Sequence, residues 1–199
     1  MITYEVFLGK EVAKFIPLIS QMRIYEFRGY PYLYIGNTEY EKEYLTGFCN
    51  DPRSSLVLAK DSGTIIGLTT AMPLKSDANI LKDLEEKFAE SGLQPEKFYY
   101  FGEFIVLDAF RGRGLSRHME ESILNLAKEW GFTYSCLATV NRSHNDPRKP
   151  KSFASTDFIW SKMGYRKFDL VFSYSWPMLS QAGIISDQPN EQIFWKKQL

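Results

Sequence analysis

The stretch Glu103-Phe104-Ile105-Val106-Leu107-Asp108-Ala109-Phe110-Arg111-Gly112-Arg113-Gly114-Leu115-Ser116 decides how this chain is read. Its first half is an apolar run suited to a buried strand. It ends in Arg-Gly-Arg-Gly, after which Leu115, Met119, Ile123, Leu126 and Trp130 recur at helical spacing as far as Gly131. Two glycines let a backbone approach a ligand closely and aim successive N–H groups at one spot. The start of a helix adds unpaired N–H donors and the positive end of its dipole. Arg111, Arg113 and Arg117 add charge on the same turn. The segment reads as a phosphate cradle, and a pyrophosphate is its natural guest.

Outward from that turn, the spacing predicts a strand over 98–107, a helix from about residue 112 to 130 and a second buried strand over 134–140. A strand, helix, strand unit of this length implies a parallel pair. Upstream, 3–7 reads as a strand and Val12, Phe15, Ile16, Ile19 and Met22 as one helical face, with Pro17 in its first turn or kinking it. Asn37 or Thr38 can cap a helix carrying Tyr40, Tyr44, Leu45 and Phe48, with Thr38 and Glu41 at capping-box spacing. Residues 55–60 and 64–72 read as a hairpin about Asp61-Ser62-Gly63. Asp77 caps a helix over 78–91 with Ile80, Leu81, Leu84 and Phe88 inward. A polar loop over 141–151 leads to a short helix ending at Met163-Gly164, and 167–176 alternates as a strand. The tail from 178 to 199 is left open. The class is α/β or α+β with a mixed sheet, and neither repeats nor linkers divide residues 1–199.

Composition bounds the function. In 199 residues, 24 basic side chains balance 24 acidic ones, and 44% of residues are apolar. A chain this long buries roughly 70% of its unfolded surface. Neutrality argues against a broad footprint for nucleic acid or anionic membrane. No apolar run reaches the ~18–20 residues of a membrane span, and Glu5, Lys10, Glu11 and Lys14 interrupt any signal-peptide pattern. Cys49 and Cys136 lie far apart, without metal-ligand spacing. The expectation is a reduced, cytoplasmic, single-domain protein with no bound metal.

Neither GxxxxGK[ST] nor a GxGxxG fingerprint is present. Arg111 to Ser116 does fit R-x-x-G-x-[G/A/S], and Trp160-Ser-Lys-Met-Gly164-Tyr165 follows in order and topology. Together these motifs resemble the GNAT superfamily of N-acetyltransferases. The resemblance implies a mostly antiparallel sheet with a splayed parallel pair flanked by helices, and a coenzyme A-binding core over about 98–165. It implies acetyl-CoA as co-substrate and a small-molecule or peptide amine as acceptor. Val106 and Leu107 would then bond the pantetheine arm through their main chain. Gly112, Arg113, Gly114 and Ser116 would hold the pyrophosphate through N–H groups, with Arg111 beside them. Ser116 replaces the usual Gly or Ala, and a hydroxymethyl is small enough to fit.

Acetyl transfer requires an amine to lose a proton, an oxyanion to be stabilised and a thiolate to leave. Glu103 is the candidate base. Alternation puts it on a face with Phe101 and Ile105, and a salt-bridged strand glutamate is the competing reading. The resemblance makes the Val106 N–H the oxyanion donor. The position that often carries a tyrosine acid is Trp160 here, and spacing selects neither Tyr165 nor Tyr174. A thiol of pKa near 8.5 can leave without a dedicated acid. Arg142, His144, Arg148, Lys149 and Lys151 offer an anion site or a solvated loop. The tyrosines of 25–34, with Glu26, Glu39, Glu41 and Glu43 nearby, offer a cage for a cationic amine or ordinary core packing. Cys136 reads as buried and inert. The helix over 78–91 has two open roles, a cap on the acceptor side or a homodimer contact. Two functions stand: an N-acetyltransferase acting by direct attack, and a binding module that holds an acyl-CoA without turnover.

Overall fold

The computed structural model describes residues 1–180 and 182–199, with only the backbone path given for 78–83 and 85, so the inward placement of Ile80 and Leu81 lies outside the described residues. Seven strands form one sheet: β1 (Ile2–Leu8), β2 (Ser55–Asp61), β3 (Thr64–Pro73), β4 (Phe98–Val106), β5 (Tyr134–Val140), β6 (Arg166–Leu179) and β7 (Ile185–Gln198). Their order is β1-β2-β3-β4-β5-β7-β6, and every neighbouring pair is antiparallel except β4 with β5. The helices are α1 (Ile16–Glu26), α2 (Thr38–Phe48), α3 (Ala78–Ser91), α4 (Leu115–Glu129) and α5 (Asp157–Lys162). This is the mixed architecture expected, with the parallel pair joined through α4.

The helices cover both faces of the sheet. Leu115, Met119 and Ile123 of α4 and Trp160 of α5 pack on Val57, Ile66, Tyr99 and Phe101. On the other face Ile19 of α1 and Leu45 of α2 cover Leu56, Leu68 and Ile105. Phe88 of α3 meets Phe98 and Phe194 edge-on there, with ring centroids 5.1 and 5.8 Å away. Pro17 sits in the first turn of α1, where its missing N–H costs no bond. Asn37 caps α2 by accepting from the Tyr40 N–H at 2.9 Å. Glu41 does not close a capping box with Thr38. It is fully buried and turned towards α1.

Two features depart from the sequence reading. The open tail is β7, which inserts between β5 and β6. The other departure is a bulge in β4: Thr70 pairs with Glu103 but Ala71 with Phe101, so Gly102 is an extra residue. An extra residue inverts strand alternation beyond it. Tyr99, Phe101 and Phe104 therefore face α4 and α5, while Phe98, Tyr100, Glu103 and Ile105 face α1 to α3. Glu103 shares its face with Ile105 and not with Phe101.

Candidate active site

β4 and β5 pair only from Phe98–Tyr134 to Phe101–Leu137, although β4 runs on to Val106 and β5 to Val140. Beyond Phe101 the two strands part. The chain leaves β4 through a 3-10 turn, Asp108–Phe110, and then enters α4 through residues 111–114. Gly112 and Gly114 both have φ +76°, a conformation that L side chains rarely adopt. A Cβ on either would meet nothing within 4 Å, so the need for glycine is conformational and the turn lies open. Gly114 is the N-cap of α4 in left-handed conformation, and the helix starts at Leu115 rather than near residue 112. The first N–H groups of that helix have no intrahelical partners, as at any helix start.

The flanking groups are less free than the sequence suggests. The Leu107 N–H donates to the Ile66 carbonyl at 3.0 Å, and the Leu107 carbonyl accepts from Phe110 N at 2.8 Å. The Val106 carbonyl accepts from Arg111 Nε at 2.9 Å. Arg111 also reaches Glu26 at 2.7 Å and Asp108 at 2.5 Å, tying the end of α1 to the end of β4. Arg113 donates to the Ala109 carbonyl and Arg117 to Lys162 of α5. Val106, Arg111, Gly112, Arg113, Gly114 and Ser116 thus gather on one turn. Leu107 lies at its base with both main-chain groups engaged inside the chain.

Glu103 is 3% exposed and lies where the strands part. Its carboxylate accepts from the Arg23 guanidinium and from the Thr70 hydroxyl. Arg23 also donates to Glu41 at 2.5 Å, and Glu41 accepts from the Tyr34 hydroxyl at 2.7 Å. One guanidinium against two carboxylates leaves this buried trio one negative charge. Gly102 is needed beside it, because a Cβ there would come within 3.1 Å of the Thr70 hydroxyl.

Arg23 and Glu103 of this trio line a cavity of about 110 Å³. Tyr44, Asp77, Tyr100, Tyr174 and Trp176 line it too. Two tyrosines of the 25–34 stretch, Tyr32 and Tyr34, line it as well. Tyr25 is 76% exposed and Tyr30 packs edge-on against Phe153, so neither belongs to a cage. Glu39 and Glu43 point to solvent, and Glu26 is engaged with Arg111. Tyr40 and Tyr174 share a hydrogen bond between hydroxyls at 3.1 Å. Burial holds the Tyr44 and Tyr174 phenols well above their ordinary pKa, and the Asp77 charge adds to that in both. Sequence reasoning missed Arg23, Asp77, Tyr100 and Trp176. Only tertiary folding brings them together.

The other candidates fall elsewhere. Trp160 donates its indole N–H to the Thr156 hydroxyl at 3.0 Å and packs on Phe104. Tyr165 lies on the opposite face, its hydroxyl 2.5 Å from that of Ser135 and its pKa pushed well up by burial. Burial also pushes the Cys136 thiol well up, as suits an inert core cysteine. In the 141–151 loop, Arg142 donates to the carbonyls of Pro31 and Tyr32 at 2.8 and 3.2 Å. Arg148 pairs with Asp146 at 2.7 Å. These two arginines are internal braces, whereas His144 is exposed.

Comparison with known proteins agrees with this geometry. No curated protein sequence matches the chain significantly. Solved structures do match its fold. They include ribosomal-protein-alanine N-acetyltransferase from Brucella melitensis, with a TM-score of 0.60 and 12% identity over 98% of this chain and 99% of that one. Arabidopsis thaliana NAA60 in complex with a bisubstrate analogue gives 0.58 and 15% over 100% and 99%. A GNAT family acetyltransferase from Elizabethkingia anophelis with acetyl-CoA bound gives 0.53 and 17% over 100% and 98%. Such identities speak to the fold alone. The sequence model of the acetyltransferase (GNAT) family matches residues 21–149, more than half of the chain. The protein belongs to the acetyltransferase (GNAT) family.

Proposed function

We propose that this protein is an N-acetyltransferase that moves the acetyl group of acetyl-CoA to a primary amine by direct attack, with Glu103 as base. The observation that carries the reading is a buried carboxylate at the parting of β4 and β5, facing a cavity on the strand that leads into the Arg-Gly-Arg-Gly turn. The turn suits the pyrophosphate of acetyl-CoA. Gly112, Arg113, Gly114 and Ser116 would hold it through main-chain N–H groups, and Arg111 would trade its contact with Glu26 for a phosphate. The Val106 main chain would serve the pantetheine arm and the developing oxyanion. Leu107 would serve only through a second lone pair on its carbonyl, since its N–H is bonded to Ile66.

The chemistry balances within this arrangement. The amine nitrogen attacks the thioester carbonyl, the C–N bond forms and the C–S bond breaks; of the two protons the ammonium nitrogen loses in becoming an amide, one passes to Glu103 directly or through one water and the other to solvent. Accepting that proton brings the trio of Arg23, Glu41 and Glu103 from one negative charge to neutrality. A buried site favours that change, because burial penalises net charge. The thiolate leaves with an ordinary thiol pKa near 8.5 and takes its proton from solvent.

A second reading, a module that binds an acyl-CoA without turnover, is favoured by Trp160, whose N–H is spent on Thr156. Release of free coenzyme A from acetyl-CoA in the presence of amines separates the two. The enzyme reading expects amine-dependent thiol release that falls steeply in Glu103→Gln. Tight binding with no release from any amine leaves only the module.

A further inference from the structure

A carboxylate paired one-to-one with an arginine is a poor base, because the opposite charge lowers its pKa by about 1–3 units. Glu103 would be in that position if Arg23 answered it alone. Arg23 divides itself instead. Its Nη1 donates to Glu103, while its Nε donates to Glu41 at 2.5 Å. The Arg23 side chain is 14% exposed, Glu103 3% and Glu41 not at all, so solvent does little to dilute these charges.

The two carboxylates are not equivalent. Each accepts from Arg23 and from one hydroxyl, Thr70 for Glu103 and Tyr34 for Glu41, the latter at 2.7 Å. A phenol is a stronger donor than an aliphatic alcohol, and a hydrogen bond to the ionised form favours that form. Glu41 is therefore the better settled anion. Access separates the two further. Arg23 and Glu103 are among the residues lining the cavity, whereas Glu41 is not. A proton arriving from the cavity meets Glu103 first.

The other titratable groups on the described lining do not compete. Burial holds the phenols of Tyr32, Tyr34, Tyr44, Tyr100 and Tyr174 above their ordinary pKa, so they stay neutral. Tyr40 shares a hydrogen bond with Tyr174. Asp77 is the other carboxylate on that lining, and it is the same in any comparison that changes Glu41 alone.

We infer that Glu41 is a positioning residue for acetyl transfer: by drawing part of the Arg23 guanidinium to itself, it leaves Glu103 as the member of the trio that takes a proton from the attacking amine. The inference rests on the acetyltransferase reading above. As the C–N bond forms, an N–H bond of the attacking nitrogen breaks and its proton goes to a Glu103 oxygen. Arg23 keeps its pairing with Glu41, and the proton returns to solvent before the next turnover.

The test follows the side-chain carboxyl carbons of the purified full chain, isotope-labelled in glutamate, by NMR across pH. The Glu103 signal is assigned by its absence in Glu103→Gln, and the Glu41 signal by its absence in Glu41→Gln. The sites are coupled, so the midpoints belong to the pair, and the carbon that moves shows where the proton sits. Glu103 is expected to titrate above the ordinary ~4.3 of a glutamate, with Glu41 still ionised. Glu41→Gln should lower the Glu103 midpoint by at least about one pH unit, a shift that a merely structural role would not produce. The acid limb of kcat in amine-dependent thiol release should move down with it. A Glu103 midpoint at or below ~4.3 in the unmodified protein, first protonation at Glu41, or a midpoint or limb unmoved by Glu41→Gln overturns the inference. The midpoint in the unmodified protein decides even if Glu41→Gln does not fold. Each of these results leaves acetyl transfer itself standing, which fails on a separate observation, the absence of thiol release with any amine.

Discussion

The turn at residues 111–116 and the cavity beside Glu103 are built on opposite plans. The turn is local, open and made of main chain. Its two glycines are required by φ +76° and by nothing packed against them. The cavity is made of side chains from distant segments, drawing Arg23 from α1, Tyr44 from α2, Tyr100 and Glu103 from β4, and Tyr174 and Trp176 from β6. A common co-substrate can be held by conformation, which survives wide changes of sequence. An individual acceptor has to be recognised by side chains, and those are free to change from one relative to the next. That contrast is in keeping with a chain that a family model covers while the three solved structures named above share only 12–17% identity with it.

The comparison can be broken most sharply at Glu103. Glu103→Gln is expected to lower kcat by on the order of 10²–10⁴, measured as amine-dependent thiol release at saturating acetyl-CoA. An unchanged rate would remove the carboxylate from proton transfer. Next comes its partner. Arg23→Met leaves Glu41 and Glu103 buried without their shared cation, and removing one partner of a buried pair costs about 3–5 kcal/mol. Denaturant unfolding should report that loss, and Arg23→Lys should recover part of it. Stability near that of the unmodified protein would mean the trio is not held as described.

The turn should respond more mildly in stability. Gly112→Ala forces a Cβ into left-handed backbone at a cost of about 1–2 kcal/mol, with no steric clash to add. Its acetyl-CoA affinity should fall while kcat at saturation stays close to normal. The smallest effect is expected in the brace above the cavity. The Arg148 hydrogen bonds and charge hold Asp146 near pKa 2, below its ordinary 3.8. A depressed carboxylate stabilises the fold fully above the unfolded value, and that contribution disappears as the pH falls through about 2. Asp146→Asn should therefore flatten the stability profile between about pH 4 and 2, seen in urea midpoints across that window. A profile that keeps its slope would show the brace to be idle.

The strands and helices from Ser55–Asp61 to Tyr134–Val140 are legible in the sequence because each carries its own period and its own turn signals. The turn is legible for the same reason, since strand, glycines and helix are consecutive. The tail is harder. Pro189 interrupts β7, and proline argues against a central strand. The structure tolerates it because β7 gains its second neighbour, β5, only from Gln192 onward, while Pro189 pairs with β6 alone. The bulge at Gly102 is hidden as well, since a glycine in a strand reads the same whether or not it is paired. The face assigned to Phe101 follows from missing it. Glu41 shows a third limit: its spacing from Thr38 fits a cap, but burial beside Arg23 outcompetes an exposed helix end. Of the cavity, Tyr32, Tyr34 and Glu103 are legible as candidates, but the rest is not, because its walls come from segments as far apart as Arg23 and Trp176.

The most direct test of the account is calorimetric titration of acetyl-CoA into the unmodified protein and into Gly114→Trp. Micromolar binding to the first, weakened at least about tenfold in the second by a bulky side chain on left-handed backbone at the mouth of the turn, is the predicted result. Absence of binding at millimolar acetyl-CoA, or equal affinity in both proteins, would contradict it and leave the Arg-Gly-Arg-Gly turn as structure alone.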